Sequence, residues 1–462
     1  MKKAQWLIIL LVLALLILAF LQPSLALLSG IVITCILSYQ YPRIAFIALL
    51  IYLPFSGTIT YQLLGGHPAS TFFKDFLYFP ALIGLIQFHQ KETNPVSISK
   101  PLRWSIILVF CFGLLTLITV NLAQQVLPVA QDGIPILMGL IGLKTWIGYI
   151  PLIGVGSLLL RQTKDLHFFS RLFVLLALIC SGLAIIQYGL LVTGICEGTR
   201  GLVDPDLFKA TLEAKCFVGG TVAFNPEHNI IRLPGTFTSP WHWSWFLISS
   251  AFMVAATAWC DPNKHWRKIG FLTLTFLVLS SIISGQDLAI KLVPTIGILS
   301  YFVIHPDWKQ NPKNLQGFGI FAVVFIVVSS ILLSAEFVAA QFNWVLTQNP
   351  GFLGNGLGSA TNAARIFGPT DLIETFYPKM LFEAGLLGVV SFLGVVVTLS
   401  WVVFHQGRSL LDPKLQGYAL LIWLFVLLVS YNQYWYPLDT DPVNIYYWLW
   451  AGMALKLPLL KP

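Results

Sequence analysis

The sequence predicts an all-α fold, a polytopic transmembrane helix bundle of about 14 helices with two long extracytoplasmic loops, at about 20 apolar residues per crossing. Three observations predict it. Hydrophobic residues make up 57% of the chain and charged residues only 10%, with a mean hydropathy of +0.80, a balance that belongs to integral membrane proteins. The apolar residues are gathered into runs long enough to cross a bilayer. Lysine and arginine are concentrated in alternate connections, as expected when they are retained on the cytoplasmic side.

The elements follow in order. The first run, residues 5 to 21, comes after Lys2 and Lys3 and ends near Ser24 and Ala26, which is also the pattern of a cleaved signal peptide. The next run starts at once, so an uncleaved first helix is expected. Further helices are expected at 23 to 40, 44 to 63, 72 to 89, 104 to 123, 142 to 160 and 172 to 193. A long polar segment then precedes helices at 241 to 259, 269 to 284, 286 to 304 and 316 to 334. A second long segment leads to the last three, at 379 to 404, 416 to 434 and 443 to 457. Lys2, Arg43, Lys91, Arg103, Arg161, Lys264, Lys309, Arg408, Lys414 and Lys461 share one set of ends. Both termini are therefore expected in the cytoplasm, and the loops at 194 to 240 and 335 to 377 outside. The net charge of +8 is a topology signal, and no nucleic acid partner is implied. With no internal repeat, residues 1 to 462 read as a single membrane domain.

Of the six cysteines, Cys35, Cys111 and Cys180 fall in apolar runs and Cys260 at a cytoplasmic end. Cys196 and Cys216 share the first outward loop. A disulfide between them would close about 20 residues and contribute about 3 kcal/mol in the chain-entropy model; the alternative is two free thiols. The sequence has no C-x-x-C pair, H-E-x-x-H helix, P-loop or G-x-S-x-G elbow, so metal, nucleotide-hydrolysis and serine-hydrolase chemistry have no motif to stand on.

The stretch 349 to 388, NPGFLGNGLGSATNAARIFGPTDLIETFYPKMLFEAGLLG, is a glycine-punctuated polar loop between apolar runs. Gly354, Gly356 and Gly358 allow sharp bends or close approach to a ligand. Asp371, Glu374 and Lys379 bring ionisable groups to the start of the next helix. A second polar patch, RLPGTFTSPWHWSWFL, runs from Arg232 to Leu247. Its Trp241, Trp243 and Trp245 either anchor a membrane boundary or stack on sugars. Lys144 sits inside an apolar run, and an intramembrane charge is a functional candidate.

The order of these features resembles the O-antigen ligase and O-antigen polymerase superfamily of bacterial membrane proteins. The likeness rests on the Gly-x-Gly-x-Gly loop, the E-x-G-L-L-G helix start at Glu383 and the R-x-x-G-x-F segment at Arg232. It implies a metal-independent glycosyltransferase in the plasma (inner) membrane, acting at its outer face in cell-surface polysaccharide biosynthesis. The donor would be a glycan on undecaprenyl diphosphate, and the acceptor another glycan or lipid-linked sugar. No cofactor is implied; the bilayer and polysaccharide assembly proteins are the implied partners. Arg232 would hold the diphosphate through bidentate bonds, and Glu374, nine residues before Glu383 where the family has histidine, would be the base. Where the family has a second arginine this chain reads SSIISGQDLAIKLVP, with Gln286 and Asp287 there and Lys291 one turn on.

Each residue also has a plainer role. Arg232 can snorkel at the interface, Glu374 can stabilise a helix start, and Lys291 can pair with Asp287, as Lys379 can with Glu383. Arg365 is a phosphate candidate, and His228 and His242 either replace the missing base or are structural. Two other classes stay open, a lipid-linked glycan flippase or other transporter and a non-catalytic partner in an export complex. A transporter places its charges at mid-membrane in corresponding halves; an enzyme gathers them against the outward loops.

The basic-residue asymmetry yields a topology test. Membrane-impermeant thiol reagents should label Asp204→Cys and Thr370→Cys in intact cells or spheroplasts, and protection of either position would reverse or break the assignment.

Overall fold

The computed structural model describes residues 23–66, 70, 72–89, 98–126, 133–202, 215–220, 222–304, 335–432, 434 and 436–460. The helices expected at 5 to 21 and 316 to 334 lie outside the described residues. Within them the apolar runs are helical: α1 (Pro23–Gln40), α2 (Pro42–Leu63), α3 (Phe73–His89), α4 (Lys100–Val126), α5 (Pro135–Ile147), α6 (Leu152–Leu159) and α7 (Thr163–Val192). There follow α8 (Pro240–Cys260), α9 (Lys264–Ile283), α10 (Asp287–Ile304), α11 (residues 335–347), α12 (Phe376–Arg408), α13 (Pro413–Tyr431) and α14 (Val443–Lys456). Proline opens α2, α5, α8 and α13, where its missing N–H has no partner to lose. Asn263 and Asp412 cap α9 and α13 by accepting the amides of His265 and Lys414, each at 2.8 Å.

Among the described residues eight helices are long and apolar enough to cross a membrane, or nine if α5 and α6 form one bent span. The chain is an all-α, polytopic membrane protein. Of the other runs expected to cross, α14 has 14 residues, short of a straight crossing, while α1 and α3, with 18 and 17, lie at the lower end of the spanning range of about 17 to 25. The run expected as one helix at 142 to 160 starts earlier, at Pro135, and is two helices bent by 41°. Hydropathy does not register that break, whereas Gly148 and Pro151 do, because proline cannot continue the hydrogen-bond ladder. The second long segment is likewise not all loop, since α11 occupies its start.

The centre of the bundle is α8, α13 and α14, which are buried nearly all round. Their sequences carry no polar face, and a helix apolar on every side belongs inside a bundle or against lipid. In α8 the small residues Ser249, Ser250, Ala251, Ala255 and Ala256 let neighbours pack close. Trp243 and Trp245 are fully buried in this core, and of the three tryptophans Trp241 is the one partly exposed. Around the core, α4 and α9 present exposed apolar residues such as Leu114, Ile118, Leu272 and Leu279, a surface suited to lipid. Against α6, α14 comes to backbone contact: a Cβ on Gly156 would lie 2.1 Å from the Leu449 carbonyl oxygen, and one on Gly452 would lie 2.0 Å from that of Ile153.

The segment between α7 and α8 forms a small cap. Cys196 and Cys216 are joined by a disulfide, with Cα atoms 5.7 Å apart. A hairpin pairs β1 (Ala223–Asn225) with β2 (Ile230–Arg232), antiparallel, with Ala223 opposite Arg232. Leu191, Cys216, Val222, Phe224 and Leu233 make its core. The cap is bonded to the bundle: Gly57 N donates to Thr236 O (3.0 Å), Gln187 Nε2 to Cys216 O (2.8 Å) and Leu233 N to Ser284 O (3.1 Å).

The α6–α14 contact gives a stability test. Gly452→Ala should lower the melting temperature of the purified protein, at a cost of about 1 to 3 kcal/mol for overpacking. Gly182→Ala, where a Cβ meets nothing within 4 Å, should be neutral. Equal melting of the two variants would refute the contact.

Candidate functional site

At the end of the bundle that carries the cap and the glycine loop lies a cavity of about 440 Å³. Its charges come from segments far apart in the chain. Lys74 stands at the start of α3 and Lys144 in the last turn of α5; Asp439 and Asp441 lie in the connection between α13 and α14. Three lysines are matched to three aspartates. Lys144 Nζ donates to Asp75 Oδ2 at 2.5 Å, and Tyr149 OH, from the break after α5, donates to Asp75 Oδ1 at 3.0 Å. Lys74 bonds Asp441, and Lys379 bonds Asp439. Tyr149 lies within cation–π reach of both Lys74 and Lys144, with Nζ atoms 5.6 and 5.9 Å from its ring centre.

The connection holding the two carboxylates is itself well tied. Thr440 Oγ1 donates to Tyr436 O (3.0 Å) and Asn444 Nδ2 to Leu438 O (3.1 Å). Asn444 also lines the cavity, and its buried Oδ1 has no hydrogen-bond partner. Burial by itself raises the Asp441 pKa, but the charge and hydrogen bond of Lys74, with His242 and Lys144 nearby, together outweigh it and hold the carboxyl below its ordinary value. For Asp439 burial prevails over Lys379, and its pKa is raised. Trp241 and His242, at the start of α8, complete the aromatic wall with Tyr52 and Tyr61 of α2. The His242 ring is oriented by two hydroxyls, Thr238 Oγ1 at 2.9 Å and Ser239 Oγ at 2.8 Å from Nδ1.

The glycine loop packs on the protein. Gly354, Gly356 and Gly358 have φ of +76°, +114° and +83°. A Cβ on Gly354 would lie 2.4 Å from the Glu383 carbonyl, and one on Gly358 would lie 2.0 Å from that of Met138. The loop docks where α12 is kinked at Gly385, φ +68°; Asn355 N donates to Phe382 O (2.8 Å) and Leu387 N to Phe352 O (3.1 Å). Glu383 is the clamp. Its Oε1 accepts Ala360 N at 2.8 Å and Thr361 Oγ1 at 2.9 Å, which sets Thr361, Asn362 and Ala363 against the cavity. On the other side Asn121, in a π turn of α4, brackets Leu357 by accepting its N–H (2.9 Å) and donating to its carbonyl (3.0 Å).

Of the candidates read from the sequence, Lys144 and His242 line the cavity, and Lys379 reaches it through Asp439. In place of the expected i, i+4 ion pair with Glu383, Lys379 bonds Asp439, because Glu383 is committed to the loop. Arg232 is exposed on β2 and Glu374 half-buried beside α11, where its N–H donates to Gln341 Oε1 (3.1 Å). Neither lines the cavity, so the structure does not unite them as clamp and base. Arg365 is exposed and donates to Thr370 Oγ1 at 3.0 Å. Lys291 pairs with Asp287 at 3.7 Å, largely in the open rather than within the bundle. His228 is exposed on the hairpin turn. Sequence reasoning missed Lys74, Asp75, Tyr149, Asp439 and Asp441. The signal for Asp439 and Asp441 was two acidic residues in a short connection between apolar helices.

The sequence matches no protein-family model and no curated protein. The site is therefore argued from its own geometry.

A pair buried this way is expected to fail badly when halved. Asp75→Asn should destabilise the purified protein by about 3 to 5 kcal/mol, because it leaves Lys144 buried and unmatched. Asp75→Leu combined with Lys144→Met should recover most of that loss in a thermal melt. Additive losses in the double variant would show that the two residues do not act as a pair.

Proposed function

We propose that the chain is a membrane glycosyltransferase of the O-antigen ligase and polymerase type, transferring a glycan from undecaprenyl diphosphate to a sugar hydroxyl. One observation carries the reading: lysines, aspartates, a histidine and aromatic side chains converge on one cavity at the loop-bearing end of the bundle. Aromatic faces suit sugars, and clustered ammonium groups suit a diphosphate. The family resemblance at Arg232 to Phe237 and at 349 to 388 supplies the substrate class.

The roles differ from those expected of the sequence. The donor diphosphate takes Lys74 and Lys144 in place of Asp441 and Asp75. Asp441, released from Lys74, accepts the proton of the acceptor hydroxyl. The acceptor oxygen forms its bond to the anomeric carbon as the bond from that carbon to phosphate breaks, and the diphosphate leaves with the electron pair. His242 and the unpartnered Asn444 Oδ1 face the sugar hydroxyls. Before the donor arrives Asp441 is a poor base, since Lys74 lowers its pKa against burial; loss of that partner removes the main opposition to burial and raises it.

Transfer by the purified protein from a defined diphosphate-linked donor tests this. Asp441→Asn should lower turnover about a hundredfold or more with donor binding kept. Lys74→Gln should weaken donor binding about tenfold, the equivalent of one charge-assisted contact. Because Lys74→Gln raises the Asp441 pKa, the acid limb of its pH profile should move to higher pH. Near-normal transfer by Asp441→Asn would sink the assignment. A second reading, transport, draws on the broken α5–α6 pair beside Lys144; donor translocation in vesicles without glycan transfer would favour it.

A further inference from the structure

A second cavity, of about 410 Å³, lies across the glycine loop from the first. It is large enough for a ligand of one or two sugar rings. Its lining differs in kind. Amides and hydroxyls are supplied by Asn121, Gln124, Asn355, Ser359 and Thr370, and among the described residues the one ionisable side chain lining it is Asp371. Among the described residues no lysine, arginine or histidine lines it; Arg365 approaches only through Thr370, to whose Oγ1 it donates. Phe382 contributes an apolar wall, its ring tilted by 33° against Trp344 with ring centres 5.6 Å apart.

The wall between the two cavities is built to stay in place. Gln124 Nε2 donates to Asn355 O at 2.8 Å, and Asp371 N donates to Ser359 O at 2.9 Å. Leu357 is held by Asn121 and Thr361 by Glu383. Yet the Asp371 carboxylate takes part in no ion pair among the described residues and is exposed. Acceptor groups without a cation, set beside an aromatic face, are what neutral polyhydroxyl ligands use, since hydroxyls donate to carboxylates and C–H faces stack on rings.

We propose that this cavity is a binding subsite for uncharged sugar residues of a glycan, separate from the charged cavity. The proposal rests on the glycosyltransferase reading for its biological sense, but it makes its own binding prediction. Asp371 and Asn355 bind sugar hydroxyls, Phe382 carries the ring face, and the glycine loop keeps the neutral glycan apart from the diphosphate. A glycan seated here is held at a distance from the reacting bond, which makes the subsite a determinant of product length.

The test uses the full chain in detergent micelles and a panel of neutral tri- to hexasaccharides of glucose, galactose, mannose and N-acetylglucosamine, followed by saturation-transfer NMR. Saturable binding of at least one member is expected, unaffected by excess inorganic pyrophosphate. Thr370→Trp, which fills the cavity, and Asp371→Asn, which keeps its shape, should each weaken that binding at least tenfold, while Lys291→Gln, at the exposed pair on α10, leaves it unchanged. Absence of binding across the panel, full competition by pyrophosphate, or unchanged binding in both cavity variants would overturn the subsite. If the protein transfers no glycan but still binds oligosaccharides with this pattern, the transferase reading falls and the subsite stands. If it transfers glycan without such binding, the reverse holds.

Discussion

An ammonium group inside an apolar bundle must bring its counter-charge with it, and much of the architecture at the loop-bearing end answers that requirement. Lys144, Lys74 and Lys379 each meet an aspartate from another segment. Desolvating both members costs several kcal/mol per ion, so such pairs add little net stability. What they do impose is register. The start of α3, the last turn of α5, the start of α12 and the connection between α13 and α14 must all close on one region before all three lysines are matched. Breaking the α5–α6 run at Gly148 to Pro151 serves the same end, for it brings Tyr149 beside Asp75 and lets Tyr78 OH donate to Gly148 O at 2.7 Å.

The glycine loop follows from a second constraint, that buried backbone must find partners. A polar loop laid between helices can satisfy its amides only by close approach, and a Cβ at Gly354 or Gly358 would forbid it. Glu383, which a helical spacing couples to Lys379, is turned to the loop because Ala360 N and Thr361 Oγ1 are buried with it. One carboxylate thereby fixes a wall whose two faces see different chemistry: lysine and aspartate on one side, amides and hydroxyls on the other.

Much of the fold was legible because run length and hydropathy are local properties. The bend after Ile147 was not, since two short apolar helices and one long one have the same hydropathy. The site was legible in halves. Lys144 and His242 stood out as charged or titratable groups in apolar surroundings, whereas their environment lies 69 residues from Lys144 at Asp75 and, for Lys74, 367 residues away at Asp441. No periodicity reports a separation of that size. Arg232 and Glu374 were chosen by motif position, and a motif carries a role only where the fold brings its members to one cavity. Here Arg232 belongs to a hairpin in the cap and Glu374 to a strand-like approach that pairs Thr375 with Tyr434.

A cation site that is already paired suits a reaction whose substrate is itself a polyanion. Bare lysines gathered in an apolar cavity would repel one another and pay the full cost of burying their charge. Aspartates keep them charged at no net cost in field. An arriving diphosphate offers more negative charge than one carboxylate, so exchange is favourable where a neutral ligand would gain nothing. The displaced carboxylates stay in the cavity, next to the sugar that the same ligand carries in. On the proposed reading, the group that neutralises the empty site thus becomes the base of the filled one, and proton acceptance is switched on only when there is a glycan to transfer.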